Sequence, residues 1–311
     1  MYQQLRRVQV TWRVLPNERI SWEEIAQKMA AQRSICTIVN MKKHAKKLFD
    51  ALKLVCETES VFYITTELCP AHRRVVIEQV KKRLRDGLPC RVVATQCIEA
   101  GVDLDFDSVF RALAPLESII QAAGRCNRNG RHPEGGQVLV FLPDEERLYP
   151  DTWYEKAAML VSALHIEKPI DLMNPSDIQR YYQKLFWKLK GKKELSEAIQ
   201  MQDYAGAEKQ YRIIKNDGVQ VLVPYEPENK LFEKLKEEAL ENGVTAKWMH
   251  EAAELCVTAY ANDDFNCYAE QLYFAGKRNE SRQPSGYWVL RRKGNYHMDT
   301  GMQLKNDDYM W

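Results

Sequence analysis

Along the first half of the chain, short unbroken apolar runs alternate with runs in which apolar residues recur every three or four positions. That alternation predicts strand, helix and strand in succession. Residues 35–39 (Ile-Cys-Thr-Ile-Val) read as a short buried strand ending at Asn40, and Ala45, Leu48, Phe49 and Leu52 give the next helix an apolar face. Residues 61–64 are a second strand. Pro70 suits a helix start and leads into a helix to about Arg85, with Ile77, Val80 and Leu84 inward and Asp86-Gly87 as its stop. Strands follow at 91–95 and 108–111, a helix at 118–126, and a last strand at 137–142. Such alternation predicts a parallel sheet covered on both faces. Ligands of such sheets bind at the carboxyl ends of the strands, which puts Asn40, Thr95 and the loop before Gln121 near the site.

Ahead of this unit, residues 5–14 are basic and alternating, readable as an edge strand or an incoming linker, and Ser21-Trp22-Glu23-Glu24 has the form of a capping box. Behind it, residues 144–172 read as a linking helix with Ala157, Leu160, Val161 and Leu164 as its stripe. Pro175 and Ser176 start another helix carrying Tyr181, Tyr182, Phe186 and Trp187, an aromatic stripe that serves a core more often than it stacks bases. Asn216-Asp217-Gly218, between residues 211–214 and 219–223, is a hairpin signal, and a helix from about 228 to 241 stops at Asn242-Gly243. Short strands or loops at 255–260, 265–274, 287–290 and 295–298 complete a smaller α+β domain. The expected division is therefore 1–33, an N-terminal linker or edge segment; 34–143, the α/β domain; 144–196, linking helices; and 197–311, the accessory domain.

Composition adds mainly exclusions. At 311 residues, 45% hydrophobic and 28% charged, the chain is an ordinary globular protein of two-domain length. A net charge of +2 advertises no nucleic-acid partner, so any such surface is local. Two basic surfaces stand out: the helix after residue 70, with Arg73, Arg74, Lys81, Lys82, Arg83 and Arg85 against Glu78, and the Lys42, Lys43, Lys46 and Lys47 run after Asn40. Either can grip a phosphate backbone, or simply be a solvated helix face. No apolar run is long enough to span a membrane, and the N-terminus lacks a signal peptide's apolar core. The eight Cys form no C-x-x-C pair, and several sit in apolar runs, which predicts reduced thiols and a cytoplasmic location. Cys69-Pro70-Ala71-His72 has a spacing open to a metal, yet no second pair accompanies it, so no metal site is expected.

The chemistry concentrates in Gln121, Gly124, Arg125 and Arg128, whose spacing of three, one and three predicts polar heads gathered at one side and one end of a helix. Two neighbouring guanidiniums repel unless an anion lies between them, and a transferring phosphoryl group is such an anion. Upstream stands Thr95-Gln96-Cys97-Ile98-Glu99-Ala100-Gly101-Val102-Asp103-Leu104-Asp105. The two segments together resemble the fifth and sixth motifs of superfamily-two helicases, in the order of the second RecA-like domain. With Leu68-Cys69-Pro70-Ala71-His72-Arg73 and Val39-Asn40-Met41, they resemble in particular the CRISPR-associated helicase–nuclease of type I systems. The resemblance covers residues 5–143 and extends more weakly into the tail, at residues 211–214 and 219–225.

That resemblance implies a RecA-like domain followed by an accessory domain, and a set of roles. Arg125 and Arg128 would approach the γ-phosphate, with Arg128 as the finger and Gln121 positioning the hydrolytic site. Gly101 and Asp103 would lie by the nucleotide ribose. Asn40, through its main-chain N–H, and Thr95, through its hydroxyl, would hold DNA phosphates, with Gln96, His72 and Arg73 as further nucleic-acid contacts. Met41 departs from the small polar residue usual after Asn40. ATP and Mg²⁺, single-stranded DNA, the N-terminal half of the enzyme with its first RecA-like domain and HD nuclease, and an RNA-guided surveillance complex are the implied ligands and partners.

The sequence contains no P-loop: the Gly-Lys pairs at Gly191-Lys192 and Gly276-Lys277 lack both a following Ser or Thr and a Gly five positions earlier. Asp144-Glu145 follows the arginine motif instead of preceding it and reads as a strand exit, and there is no His-Asp dipeptide. The expectation is an arginine-supplying half without the nucleotide-holding half, either a fragment or one subunit of a split enzyme, inactive alone as ATPase or nuclease. The alternatives are a non-catalytic DNA- or protein-binding subunit, which has no use for the Gln121, Arg125 and Arg128 set, or half of another superfamily-two helicase.

Overall fold

The computed structural model describes residues 7–99, 101–188, 197, 199–206, 218–260, 263–276 and 283–304. Ala100, the 211–217 arm of the expected hairpin and the Gly191-Lys192 pair lie outside the described residues. Six strands form one sheet: β1 (Val8–Arg13), β2 (Ser34–Ile38), β3 (Val61–Ile64), β4 (Cys90–Ala94), β5 (Ser108–Ala112) and β6 (Gly136–Phe141). Their order is β1-β6-β5-β2-β4-β3. Every pairing is parallel. All residues of β2 and β5 are buried, as strands covered on both faces must be.

Six helices cover the two faces: α1 (Trp22–Ala30), α2 (Lys42–Lys53), α3 (Pro70–Arg85), α4 (Leu116–Ala123), α5 (Thr152–Glu167) and α6 (Pro175–Lys188). Ile25 and Met29 of α1 and Ala45, Leu48 and Leu52 of α2 pack on Ile35, Val93 and Phe141. On the other face Val80, Ile119, Ala122, Leu160, Val161 and Leu164 pack on Cys36, Ile38 and Val92. Alternate residues of β2 thus feed opposite layers, as the period of two requires. Ser21 caps α1 by accepting the Glu24 N–H at 3.2 Å, and Asp151 caps α5 through the Tyr154 N–H at 2.8 Å.

The domain is wider than residues 34–143. β1 completes the sheet at one edge, α1 covers it, and α5 and α6 bury Leu160, Leu164, Tyr181 and Leu185 in its core. Neighbours in sequence do the covering here because β6 would otherwise leave an apolar face open. The exit of β6 is pinned: Glu145 accepts the Trp22 indole N–H and the Lys47 ammonium, each at 2.6 Å. Tyr181 is buried, whereas Phe186 and Trp187 of the same helix are exposed.

A second sheet has the order β8-β7-β10-β9, built from β7 (Val219–Leu222), β8 (Cys256–Ala259), β9 (Ala269–Tyr273) and β10 (Pro284–Leu290). β7 lies between β8, antiparallel, and β10, parallel. Helices α7 (Asn229–Asn242) and α8 (Ala246–Ala252) bury Phe232, Leu235 and Trp248 against it. A small hairpin, β11 (Tyr296–His297) with β12 (Gly301–Met302), joins the two domains. The Met302 N–H donates to the Glu67 carbonyl at 2.9 Å, and Cys69 belongs to the second core.

Candidate functional site

The carboxyl ends of β2, β4 and β5 meet in a polar region around Asn40, Gln96 and Arg111, whereas the turn after α4 lies beside the start of β5, where Phe106 bridges Cys126. That turn departs from the expected geometry. α4 starts at Leu116, with Pro115 as its N-cap, and ends at Ala123, where the Gly124 N–H bonds the Ile120 carbonyl at 2.9 Å. Asn127 then takes φ +45°, and Phe106 bridges Cys126 in parallel. Gln121, Arg125 and Arg128 therefore do not share a helix. Gln121 lies exposed on its last turn, while the two arginines stand in the turn that follows. Asp105 builds this turn by accepting the main-chain N–H groups of Arg128 at 2.7 Å and Asn129 at 3.2 Å.

Both guanidiniums rest on weak partners. Arg125, half-buried, donates through Nη2 to the Glu99 carbonyl at 2.6 Å. Arg128 Nη1 lies 3.2 Å from Asp103 Oδ1, and the Asp103 side chain is 82% exposed. Burial and then the charge of Arg128 depress the pKa of Arg125, so part of the repulsion between them persists. Gly101 stands at φ +74° with nothing within 4 Å of a would-be Cβ, so its requirement is backbone conformation, not space. Asp103, Arg125 and Arg128 form one cluster. Mg²⁺ finds no set of donors beside it: among the described residues no three His, Cys, Asp or Glu side chains gather to hold a metal.

The expected polynucleotide contacts divide. Asn40 is 5% exposed, and its side chain is committed inward: Nδ2 donates to the Leu113 carbonyl at 2.9 Å, and Oδ1 accepts from Arg111 at 2.7 Å. The Gln96 amide donates to the Asn40 carbonyl at 3.2 Å. Thr95, also buried, sets its hydroxyl 3.7 Å from the Cys97 sulfur. Arg73 is half-buried, with Nη1 3.5 Å from the Leu68 carbonyl. His72 is a correction: it is 2% exposed, stacked at 4.7 Å on Tyr225 and bonded through Nδ1 to the Tyr296 hydroxyl at 2.9 Å. Burial lowers its pKa, and it joins the two domains without facing an open surface. Of the basic runs, Lys42 is buried, Lys46 pairs with Asp50, Lys47 with Glu145 and Arg74 with Glu254.

Sequence reasoning missed the centre of this region. Arg111, in the middle of the sheet, is fully buried; Nη2 donates to the Tyr154 hydroxyl at 2.8 Å and stands 3.0 Å from Glu99 Oε1, an ion contact without hydrogen-bond alignment. Burial pushes the Glu99 carboxyl above its ordinary range while Arg111 pulls it back. The signal was present: one permanent cation inside Ser-Val-Phe-Arg-Ala, a strand with no solvent face.

An all-parallel sheet layered by helices, with paired arginines past its fourth helix, defines a RecA-like α/β domain carrying a second, smaller sheet domain. Comparison with known proteins makes the class specific. Residues 31–131 match the family model of the CRISPR-associated nuclease/helicase Cas3, C-terminal. A Haloferax volcanii CRISPR-associated nuclease/helicase Cas3 is 51% identical over 83 residues, 25% of this chain and 9% of that protein. A Methanothermobacter thermautotrophicus Cas3 is 28% identical over 119 residues, 38% of this chain and 14% of that protein. Among solved structures, T. fusca Cas3 with ATP shares the fold at TM-score 0.60 and 14% identity, over 91% of this chain and 39% of that one. A chain of a CRISPR RNA-guided surveillance complex in a pre-nicking state shares it at TM-score 0.53 and 13% identity, over 91% of this chain and 40% of that one. The chain thus corresponds to well under half of its relatives. Among the described residues no helix is long and apolar enough to cross a membrane.

Proposed function

We propose that this chain is the arginine-supplying C-terminal portion of an ATP-dependent, single-strand-translocating DNA helicase of type I CRISPR interference. The observation that carries this is the pair Arg125 and Arg128, held as neighbours, the first against a main-chain carbonyl and the second against an exposed carboxylate. A triphosphate offers both guanidiniums stronger, charge-assisted bonds than they now have. Arg128, the more exposed, acts as the finger at the γ-phosphate; Arg125 seconds it, and Gln121 orients the attacking water. Gly101 and Asp103 line the ribose side. Asn40, Thr95, Gln96 and Arg73 hold phosphates of the strand, contacts that need no base identity. Mg²⁺ and the triphosphate are held by a P-loop half, in cis or in trans, and a surveillance complex supplies the DNA.

The expected behaviour is asymmetric. Alone the chain hydrolyses no ATP; mixed with the P-loop-bearing polypeptide of the same genome it restores hydrolysis stimulated by single-stranded DNA. Arg128→Ala in that mixture lowers kcat by about 10³-fold or more. Substantial ATPase activity of the purified chain alone, or full activity of the Arg128→Ala mixture, refutes the assignment.

A further inference from the structure

Arg111 touches two of the segments to which the preceding reading gives a role, at Asn40 and at Glu99. Its Nη1 donates to Asn40 Oδ1 at 2.7 Å and to the Ala112 carbonyl at 3.0 Å, while Nη2 meets Tyr154 at 2.8 Å and Glu99 at 3.0 Å. The Tyr154 hydroxyl donates onward to Asn40 Oδ1 at 3.2 Å. Gln96 donates to the Asn40 carbonyl at 3.2 Å, and the carbonyl of Glu99 carries Arg125 at 2.6 Å. An unbroken polar chain therefore runs from the ends of β2 and β4 to the first of the paired arginines. Its centre is closed to water, with Arg111 0%, Asn40 5% and Glu99 7% exposed, while Gln96, Tyr154 and Arg125 are half-buried.

Stability alone gives no reason for this arrangement. A buried ion pair repays its desolvation poorly, and apolar side chains of similar volume in a sheet interior commonly serve as well. What the guanidinium adds is a rigid fork that fixes four segments relative to one another. We propose that Arg111, with Glu99 and Tyr154, is a positioning unit that couples a DNA strand at the Asn40–Gln96 edge to the placement of Arg125. A phosphate drawn against Asn40 shifts the Arg111 fork, the fork carries Glu99 with it, and Arg125 hangs from the carbonyl of Glu99. The unit makes the hydrolytic rate responsive to DNA without touching either ligand. This inference rests on the function proposed above.

The test uses the full chain mixed with the P-loop-bearing polypeptide, with ATP hydrolysis measured without DNA and with a single-stranded oligodeoxythymidylate. Tyr154→Phe removes one hydroxyl and keeps the ring; Arg111→Lys keeps the charge and loses the fork. Each is expected to lower the ratio of stimulated to unstimulated rate by about fivefold or more, the lower end of ordinary coupling between sites. A purely structural role lowers both rates together and leaves the ratio intact, and that result, or an unchanged ratio, overturns the coupling. Should Arg111→Lys fail to fold, Tyr154→Phe decides. If the unsubstituted mixture hydrolyses no ATP, the proposed function falls and the coupling with it. If the mixture is active and Arg128→Ala silences it while both variants keep the ratio, only the coupling is lost.

Discussion

His44 shows what burial does to a single side chain. It is 0% exposed, with its ring 5.3 Å from that of Trp22. Burial, opposed by Glu145 and reinforced by Lys43 and Lys47, pushes its pKa from 6.5 down to about 4. The folded chain thus keeps this imidazole neutral where the unfolded chain takes up a proton. Stability from this group is intact above pH 6.5 and is lost as pH falls from there towards 4. Urea unfolding at pH 7 and pH 4.5 should show a loss smaller by about 2 kcal/mol in His44→Phe than in the unsubstituted chain. Equal losses would remove His44 as the cause. His72, lowered by burial in the same sense, adds to the acid sensitivity of both proteins. Neither histidine announces its burial in the sequence, because a polar residue in a first helical turn reads as a surface residue until its neighbours are placed. The nearness of Arg125 and Arg128 was legible, since residues three apart at a helix end stay close whether or not the helix continues. Arg111 was not, because its partners Asn40, Glu99 and Tyr154 come from three separate segments.

Elements were read most accurately where both faces are buried. The strands at 35–39, 61–64, 91–95, 108–111 and 137–142 fall within a residue or so of β2 to β6 because uninterrupted apolar runs leave no other period to choose. The helix at 118–126 was placed too late and ran too far. Gly124 is tolerated inside a helical pattern, and the stop is set by Asn127 and the bridge to Phe106, which sequence spacing does not display. α8 was missed: in seven residues it buries only Trp248 and Ala252, too few to establish a period. β12 is two residues, one of them Gly301. That glycine matters: at φ +77° its Cβ would stand 2.2 Å from the Glu67 carbonyl oxygen. Gly301→Ala is expected to cost about 2 kcal/mol or more, from left-handed backbone strain and the clash together. Gly101→Ala, with the same backbone sign and open space around it, is expected to cost about 1 kcal/mol. Thermal unfolding of the pair separates the two effects, and equal costs would mean that the Glu67 contact gives way freely.

At the scale of the molecule, the sheet domain borrows its cover from outside residues 34–143. α5 alone supplies Ala157, Leu160, Val161 and Leu164 to the core. A chain ending at residue 143 is therefore expected to expose that face and show no cooperative unfolding, while one ending at residue 188 regains it; a sharp transition in the shorter chain would restore the narrower domain. The second domain is tied on by Tyr296, which reaches both Cys69 and His72, so its orientation is set at the start of α3. The contact of Arg128 with Asp103 also bears on the isolated half. This carboxylate is, on the function proposed above, a placeholder that holds the guanidinium while no phosphate is present. On the function proposed here, the finger passes from one anion to another instead of leaving water. An unpaired half then has little attraction for stray phosphate, and its charge is unmasked only when the two halves close on a triphosphate.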